Sequence, residues 1–327
     1  MNLKKILIIS GSFFPENTPR SFRTTELAKE FSRLGHEVAV YIPNKSEIHE
    51  QFEIDYGVEI NNLGKAYKDI NTNSCFKALT FLKKLIRRLF LLFFEFPAIM
   101  LMFHTKHILK KEKRVFDLLI SIAVPHPIHW GVSWAHKNEN WLAKKWIADC
   151  GDPYVGVKYE RFKKPFYFNY LENSFLKKAN YVSIPFQNLM NSFNKKYHDK
   201  FIVIPQGFNF SEIKLNKSDV KNEVPTMIFA GTVMPGVRDP FALIDFLIEN
   251  KTPFKIIIYT HQNSLFKKYH NNKSIIIKDY VMRLTLLEEM SKADFLINVN
   301  IDNNDDGSSD AIPSKLIDYA LTGRPIL

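Results

Sequence analysis

Asp310 to Leu327 reads DAIPSKLIDYALTGRPIL, and this stretch decides how the rest of the chain is understood. Pro313 suits the first helical position, where its missing N–H costs nothing, and Gly323 can close the same helix in a left-handed turn. The spacing therefore predicts a short helix from about Pro313 to Thr322. Backbone N–H groups of Ser314, Lys315 and Leu316 would lie at its positive end beside the Lys315 ammonium, a ready site for a phosphate or diphosphate. Asp318 follows one turn later, and Asp310 precedes the helix. Two carboxylates flanking an anion site suit a ligand with phosphates in the middle and hydroxyls at both ends, which is the shape of a nucleotide sugar.

The 327-residue chain has room for two domains, and 46% hydrophobic residues are enough for packed cores. A net charge of +11 favours an anionic partner. Without zinc-type spacing, a Walker loop or a basic helix of nucleic-acid type, nucleic acid is not the expected partner. Cys75 and Cys150 imply neither a disulfide framework nor a metal site, so a reducing cytoplasm is the simplest setting. The amino-terminal apolar run is only about five residues long and reads as a buried strand, not a signal peptide.

Lys5–Ile9 is that strand, Thr24–Leu34 carries helical spacing up to Gly35, and Glu37–Ile42 is again β-rich. This opening predicts a parallel sheet. The loop GSFFPE lacks the glycine fingerprint of a dinucleotide site, which argues against a dehydrogenase. Further strands are expected at 115–121, 146–149, 181–184 and 201–204, with helices at 129–142, 171–179 and 186–197. A polar stretch, 208–224, reads as a hinge between an N-terminal domain, 1–207, and a C-terminal one, 225–327. In the latter, strands are expected at 226–230, 255–259, 275–277 and 295–299, with a helix from Pro240 to about Ile248. Two αβ units in tandem would enclose a ligand cleft between the carboxyl ends of their sheets.

Residues 77–114 stand apart. Leu89–Phe103, LFLLFFEFPAIMLMF, is flanked by Lys83, Lys84, Arg87 and Arg88 and by Lys106, Lys110, Lys111, Lys113 and Arg114. It is too short to span a bilayer, which needs roughly twenty residues, and it contains Glu95 and Pro97. Either it is a helix pair kinked at Pro97 and packed on the sheet, or it lies in the interface of an anionic membrane.

In order and spacing, several pieces resemble the GT-B glycosyltransferases of the retaining family-four type. They are LGHEVAVYIP, SIAVPHPIHWG, WIADCGDPY, VIPQGFN, FAGTVMPGVRDP and the closing stretch. The resemblance implies two Rossmann-like αβα domains facing across a cleft, the second incomplete at Leu327, where the final strand would be left uncovered. It implies a UDP- or GDP-sugar donor, a saccharide or lipid-linked acceptor, no metal and no cofactor.

By the same resemblance, Asp310 and Asp318 take the two carboxylate positions of a Glu-x7-Glu motif, near the donor sugar and the ribose respectively. Arg238 would clamp the diphosphate with Lys315 and the helix amides, and Gly231 would lie beside the donor. His126 matches an active-site histidine, with His129 competing for the role. Arg23, Gly11, Asp149 and Asp152 would support the acceptor side. Gly151 stands where the family's Asp-Arg-Asp-Pro-Trp element carries arginine.

Blander readings stand beside these. Asp318 would serve equally as a solvated helix residue, Arg238 could pair with Asp239, and a lone histidine is more often a loop residue. Asp302, Asp305 and Asp306 read better as an acidic solvated loop than as a metal site. Two functional alternatives remain: a nucleotide-sugar epimerase of the same fold, and a non-catalytic or truncated membrane-associated relative.

Overall fold

The structure is a computed structural model that describes residues 2–65, 77–136, 141–155, 163–210, 213, 215, 221–236, 238–299 and 315–327. Two compact units divide at Gly207/Phe208.

In the first unit, β1 (Lys5–Ser10), β2 (Glu37–Pro43), β3 (Val58–Gly64), β4 (Phe116–Ala123), β5 (Ala143–Cys150), β6 (Tyr181–Ile184) and β7 (Phe201–Val203) form one parallel sheet. Its order is β3-β2-β1-β4-β5-β6-β7. The chain reverses its direction of travel across the sheet between β1 and β4, and ligands of open α/β sheets bind at the carboxyl ends of such a switch.

Alternation explains the layering. Ile6 and Ile8 point to one face with Ala28 of α1 (Pro19–Arg33) and Phe52 of α2 (Ile48–Tyr56). Leu7 and Ile9 point to the other face, in the core that holds Leu101 of α4 (Met100–Lys111), Trp130 of α5 (Pro127–Ala135) and Phe168 of α6 (Tyr167–Lys178). Helix α3 (Lys77–Phe94) precedes α4. Thr18 caps α1, its hydroxyl accepting from the Ser21 amide at 3.1 Å, with Pro19 in the first turn.

The second unit repeats the plan with β8 (Thr226–Ala230), β9 (Lys255–Tyr259), β10 (Ile275–Lys278) and β11 (Phe295–Leu296), parallel in the order β10-β9-β8-β11. Ile244 of α7 (Phe241–Glu249) packs on one face. Leu286 of α8 (Arg283–Ser291) and Tyr319 of α9 (Lys315–Thr322) pack on the other. Gly323 has φ 66°, the left-handed helix end that the sequence implied. Beyond it, Ile326 bridges Leu296 in parallel, and both Ile326 and Leu327 are exposed.

Several expectations need correction. The helix expected over 129–142 ends at Ala135, and β5 begins at Ala143 instead of Trp146. The stretch 186–197 forms two 3-10 turns, Gln187–Ser192 and Lys195–Lys200, in place of an α-helix. Phe186 is extended, and the Asn194 carboxamide accepts from the Lys196 amide at 3.1 Å; such short polar side chains compete with helix bonding. α2 and β3 were not anticipated, because the alternation in VEINNLG is broken by paired asparagines. β11 is shorter than its expected run.

The 77–114 stretch divides between its two readings. α4 packs on α5 with Leu101, Met102 and Leu109 buried. α3 stays exposed, with Phe81 at 71% and Phe94 at 59%. The break falls at Glu95, whose φ is 51°, two residues before Pro97. No described helix is long and apolar enough to cross a membrane.

Candidate functional site

At the β1/β4 switch the backbone comes unusually close to a side chain. A Cβ on Gly11 would lie 2.3 Å from Pro125 Cδ, so only glycine lets the loop after β1 pass the end of β4. Directly after that proline stands His126, which is 3% exposed. Neither of its ring nitrogens makes a hydrogen bond; the Asp152 backbone lies near enough to act on the ring but closes no bond of ordinary geometry. Burial, followed by His129, Arg20 and Lys164, holds its pKa well below the usual value, so the ring is neutral at pH 7. Tyr154 packs against it at 5.3 Å between centroids.

His129 is fully buried and differs sharply from His126. Its Nδ1 shares a 2.7 Å hydrogen bond with Ser121 Oγ, which also accepts from Trp146 Nε1 at 2.8 Å. Its Nε2 contacts Cys150 Sγ at 3.4 Å. Burial lowers its pKa to about 3 and raises that of the Cys150 thiol well above its usual value. Partners on both nitrogens pack His129 into the core, whereas neither ring nitrogen of His126 has one. The other cysteine, Cys75, lies outside the described residues.

The supporting residues form a second layer. Arg23 donates Nε to Asp149 Oδ2 at 3.2 Å and Nη2 to Oδ1 at 2.8 Å, while its Nη1 donates to the Pro205 carbonyl at 2.7 Å. Ser183 Oγ donates to the same Asp149 carboxylate at 2.6 Å. Thus α1, β5, β6 and the segment after β7 are tied together at the carboxyl edge of the sheet. Asp152 is more exposed and pairs with Arg20 Nη2 at 3.3 Å. Below this loop, burial raises the Glu172 carboxyl to a pKa of about 7 as it accepts from the Val155 amide.

In the second unit, Lys315 is the first described residue of α9; Pro313, the expected first helical residue, lies outside the described residues. The Lys315 ammonium lies 5.3 Å from the Phe229 ring centroid and 5.8 Å from that of Tyr319. Burial, and secondarily the positive charge of Arg238, lower its pKa to about 8. Asp239 does not neutralise Arg238: its oxygens accept from the Gly236 amide at 2.6 Å and the Phe241 amide at 3.0 Å. Lys315 and Arg238 lie near enough for the charge of one to act on the other, a pair of cations suited to an anion.

Asp318 is not a solvated helix residue. Its Oδ1 accepts from Arg283 Nε at 3.0 Å and Nη2 at 2.6 Å, leaving Oδ2 for another donor. Leu316 is half-buried beside the core. Gly231, at the carboxyl end of β8, has φ 137°, a conformation that favours glycine. Asp310, Ser314 and the acidic residues Asp302, Asp305 and Asp306 lie outside the described residues.

Sequence reading missed Arg20, Arg283, Glu172 and the Ser121–Trp146 pair. Each works through a partner remote in sequence, which no local pattern announces.

No protein-family model matches the chain, and no curated protein matches it. Solved structures do. A glycosyltransferase from Rickettsia africae matches with a TM-score of 0.61 and 17% identity over 100% of this chain and 79% of that one. The lipopolysaccharide outer core galactosyltransferase WaaB matches at 0.58 and 10%, over 98% and 79%. A putative UDP-N-acetylglucosamine 2-epimerase from Listeria monocytogenes matches at 0.51 and 8%, over 91% and 74%. At these identities the likeness is one of fold, and the chain has the GT-B-type α/β fold with parallel sheets that these proteins share.

Proposed function

We propose that this protein is a glycosyltransferase that moves a sugar from a UDP- or GDP-sugar to a saccharide or lipid-linked acceptor in cell-surface polysaccharide or glycolipid synthesis. The observation that carries the reading is the Lys315–Arg238 pair of cations at the start of α9. Transfer breaks the bond between the anomeric carbon and a diphosphate oxygen and forms one to an acceptor hydroxyl oxygen, whose proton is released. The departing nucleoside diphosphate carries the electron pair, and Lys315 with Arg238 would stabilise that charge without a metal or cofactor. Asp318, steadied through Oδ1 by Arg283, would accept from a ribose hydroxyl with Oδ2. Asp310 and Ser314 keep the places near the donor that the resemblance implies, and His126 keeps the active-site role that it implies within the first unit. A retaining outcome rests on the family resemblance.

Exposed α3 supports a peripheral position on an anionic membrane, at the cytoplasmic face. Its Phe81, Leu82, Leu85, Leu89, Phe93 and Phe94 are exposed alongside Lys84, Arg87 and Arg88. A lipid-linked acceptor would then be met at the surface that holds it.

Calorimetric titration with UDP and GDP tests the site. Binding of one of them, weakened about tenfold or more in Lys315→Ala and Asp318→Ala, is expected; wild-type protein that binds neither overturns the reading. The epimerase alternative draws on the fold shared with the Listeria protein, and products formed from donor alone would favour it.

A further inference from the structure

The space that a Gly151 side chain would take is filled by Arg20, whose guanidinium would have to move aside for one. A Cβ built there would lie 1.3 Å from Arg20 Nη2 and 1.7 Å from its Cζ. A guanidinium from the first turn of α1 therefore occupies the position that a side chain of residue 151 would fill, at the carboxyl end of β5. Its hydrogen bond within the described chain is a single one, from Nη2 to Asp152, an acid whose side chain is 65% exposed. Arginine has five N–H donors, so most of this fork faces no protein acceptor among the described residues.

The neighbouring group is His126. Both residues lie against the Gly151–Asp152 segment, and the charge of Arg20 reaches the His126 ring. The two imidazole nitrogens are buried and unpartnered, which is costly unless a ligand satisfies them. Arg23, three residues along α1, is by contrast consumed in the Asp149 pair. Helix α1 thus supplies two arginines with different fates, one locked into the framework and one presented at the switch point of the sheet.

We propose that Arg20 binds an anionic oxygen of the ligand of the first unit, a phosphate or a carboxylate, beside His126. Its guanidinium stands in for a residue-151 side chain, and the missing Cβ of Gly151 is what admits it. A phosphate would come from a phospholipid-linked acceptor, and a carboxylate from an acidic acceptor sugar. This deepens the glycosyltransferase reading, but its test does not depend on turnover.

The experiment uses full-length protein with labelled histidine and follows the His126 imidazole signals by NMR, assigned with His126→Gln. Pyrophosphate and glucuronate are added separately to wild type, Arg20→Ala, Arg20→Lys and the exchange variant Arg20→Ala with Gly151→Arg, each checked for an unchanged melting temperature. One or both probes are expected to shift the His126 signals in wild type. Affinity should fall about ten- to a hundredfold in Arg20→Ala, less in Arg20→Lys, and recover in the exchange variant. A response to pyrophosphate alone assigns a phosphate ligand, and to glucuronate alone a carboxylate. The proposal is overturned if neither probe moves His126 in wild type, or if Arg20→Ala responds as wild type does. It is equally overturned if Arg20→Ala loses melting temperature and the exchange variant recovers stability without recovering the response, since Arg20 is then structural. Loss of nucleotide binding at Lys315 would leave these outcomes unaffected, so the two readings fail separately.

Discussion

Arg23 grips Asp149 at two points inside the first unit, with side-chain exposures of 7% and 5%. Removing one partner leaves the other charged in a buried place. Arg23→Met is expected to cost roughly 3–5 kcal/mol, because it strands Asp149 and also frees the Pro205 carbonyl. Asp149→Leu alone should be similarly severe. The double change should cost clearly less than the two singles added together, and urea denaturation of the three variants measures this coupling.

Lys315 makes the proposed nucleotide site sensitive to alkaline pH. Its pKa of about 8 in the free protein is depressed by burial and by Arg238. A bound diphosphate favours the charged form and raises that pKa. Affinity for UDP or GDP should therefore be level well below pH 8 and decline as pH rises through it, by up to about tenfold per pH unit. Lys315→Arg should flatten the profile. Calorimetry from pH 6.5 to 9.5 tests this, and a wild-type profile that stays level to pH 9.5 would remove Lys315 from the site.

Glu172 sets a second pH dependence from the same cause, burial, with the shift in the opposite direction. Burial raises its folded pKa from 4.5 to about 7, so folding favours the protonated form. The advantage is whole below the unfolded value and disappears as pH rises through the folded one. Between pH 4.5 and 7 this group should remove up to ~3 kcal/mol of stability. Glu172→Gln keeps an acceptor for the Val155 amide and should erase that slope, leaving the variant more stable than wild type at pH 8. Chemical denaturation across the range measures the difference.

Charge reversal on α3 tests membrane attachment. Flotation with vesicles containing anionic lipid should recover the wild-type chain. Changing Lys83, Lys84, Arg87 and Arg88 together to Glu should abolish recovery while leaving UDP or GDP binding intact. Each cation near such a surface contributes about 1 kcal/mol, so loss of four is decisive. Changing Phe81 and Phe94 to Ser should weaken recovery at high salt, where the apolar contribution remains. Equal flotation of the Glu variant and wild type would remove the electrostatic attachment.

The legibility of the chain followed the range of its interactions. Ile6–Ile9 and Ile256–Ile258 announced buried parallel strands because continuous apolar runs need cover on both faces. Gly323 announced a helix end because a left-handed turn favours glycine. Lys315 and Asp318 were visible one turn apart as a potential binding end. α2 and β3 were less visible, since their patterns are short and interrupted.

Sequence alone thus determined two series of buried parallel strands, the cationic start of the last helix and the unusual basic, aromatic stretch before β4. Tertiary structure decided what each polar residue does. It gave His129 two partners and His126 none, paired Asp318 with Arg283 in place of water, exposed α3 while burying α4, and set Arg20 in the space above Gly151. The reason is physical: strand and helix patterns repeat over two to four residues, whereas a guanidinium and the glycine that makes room for it, 131 positions apart, meet only when the sheet brings α1 and β5 together.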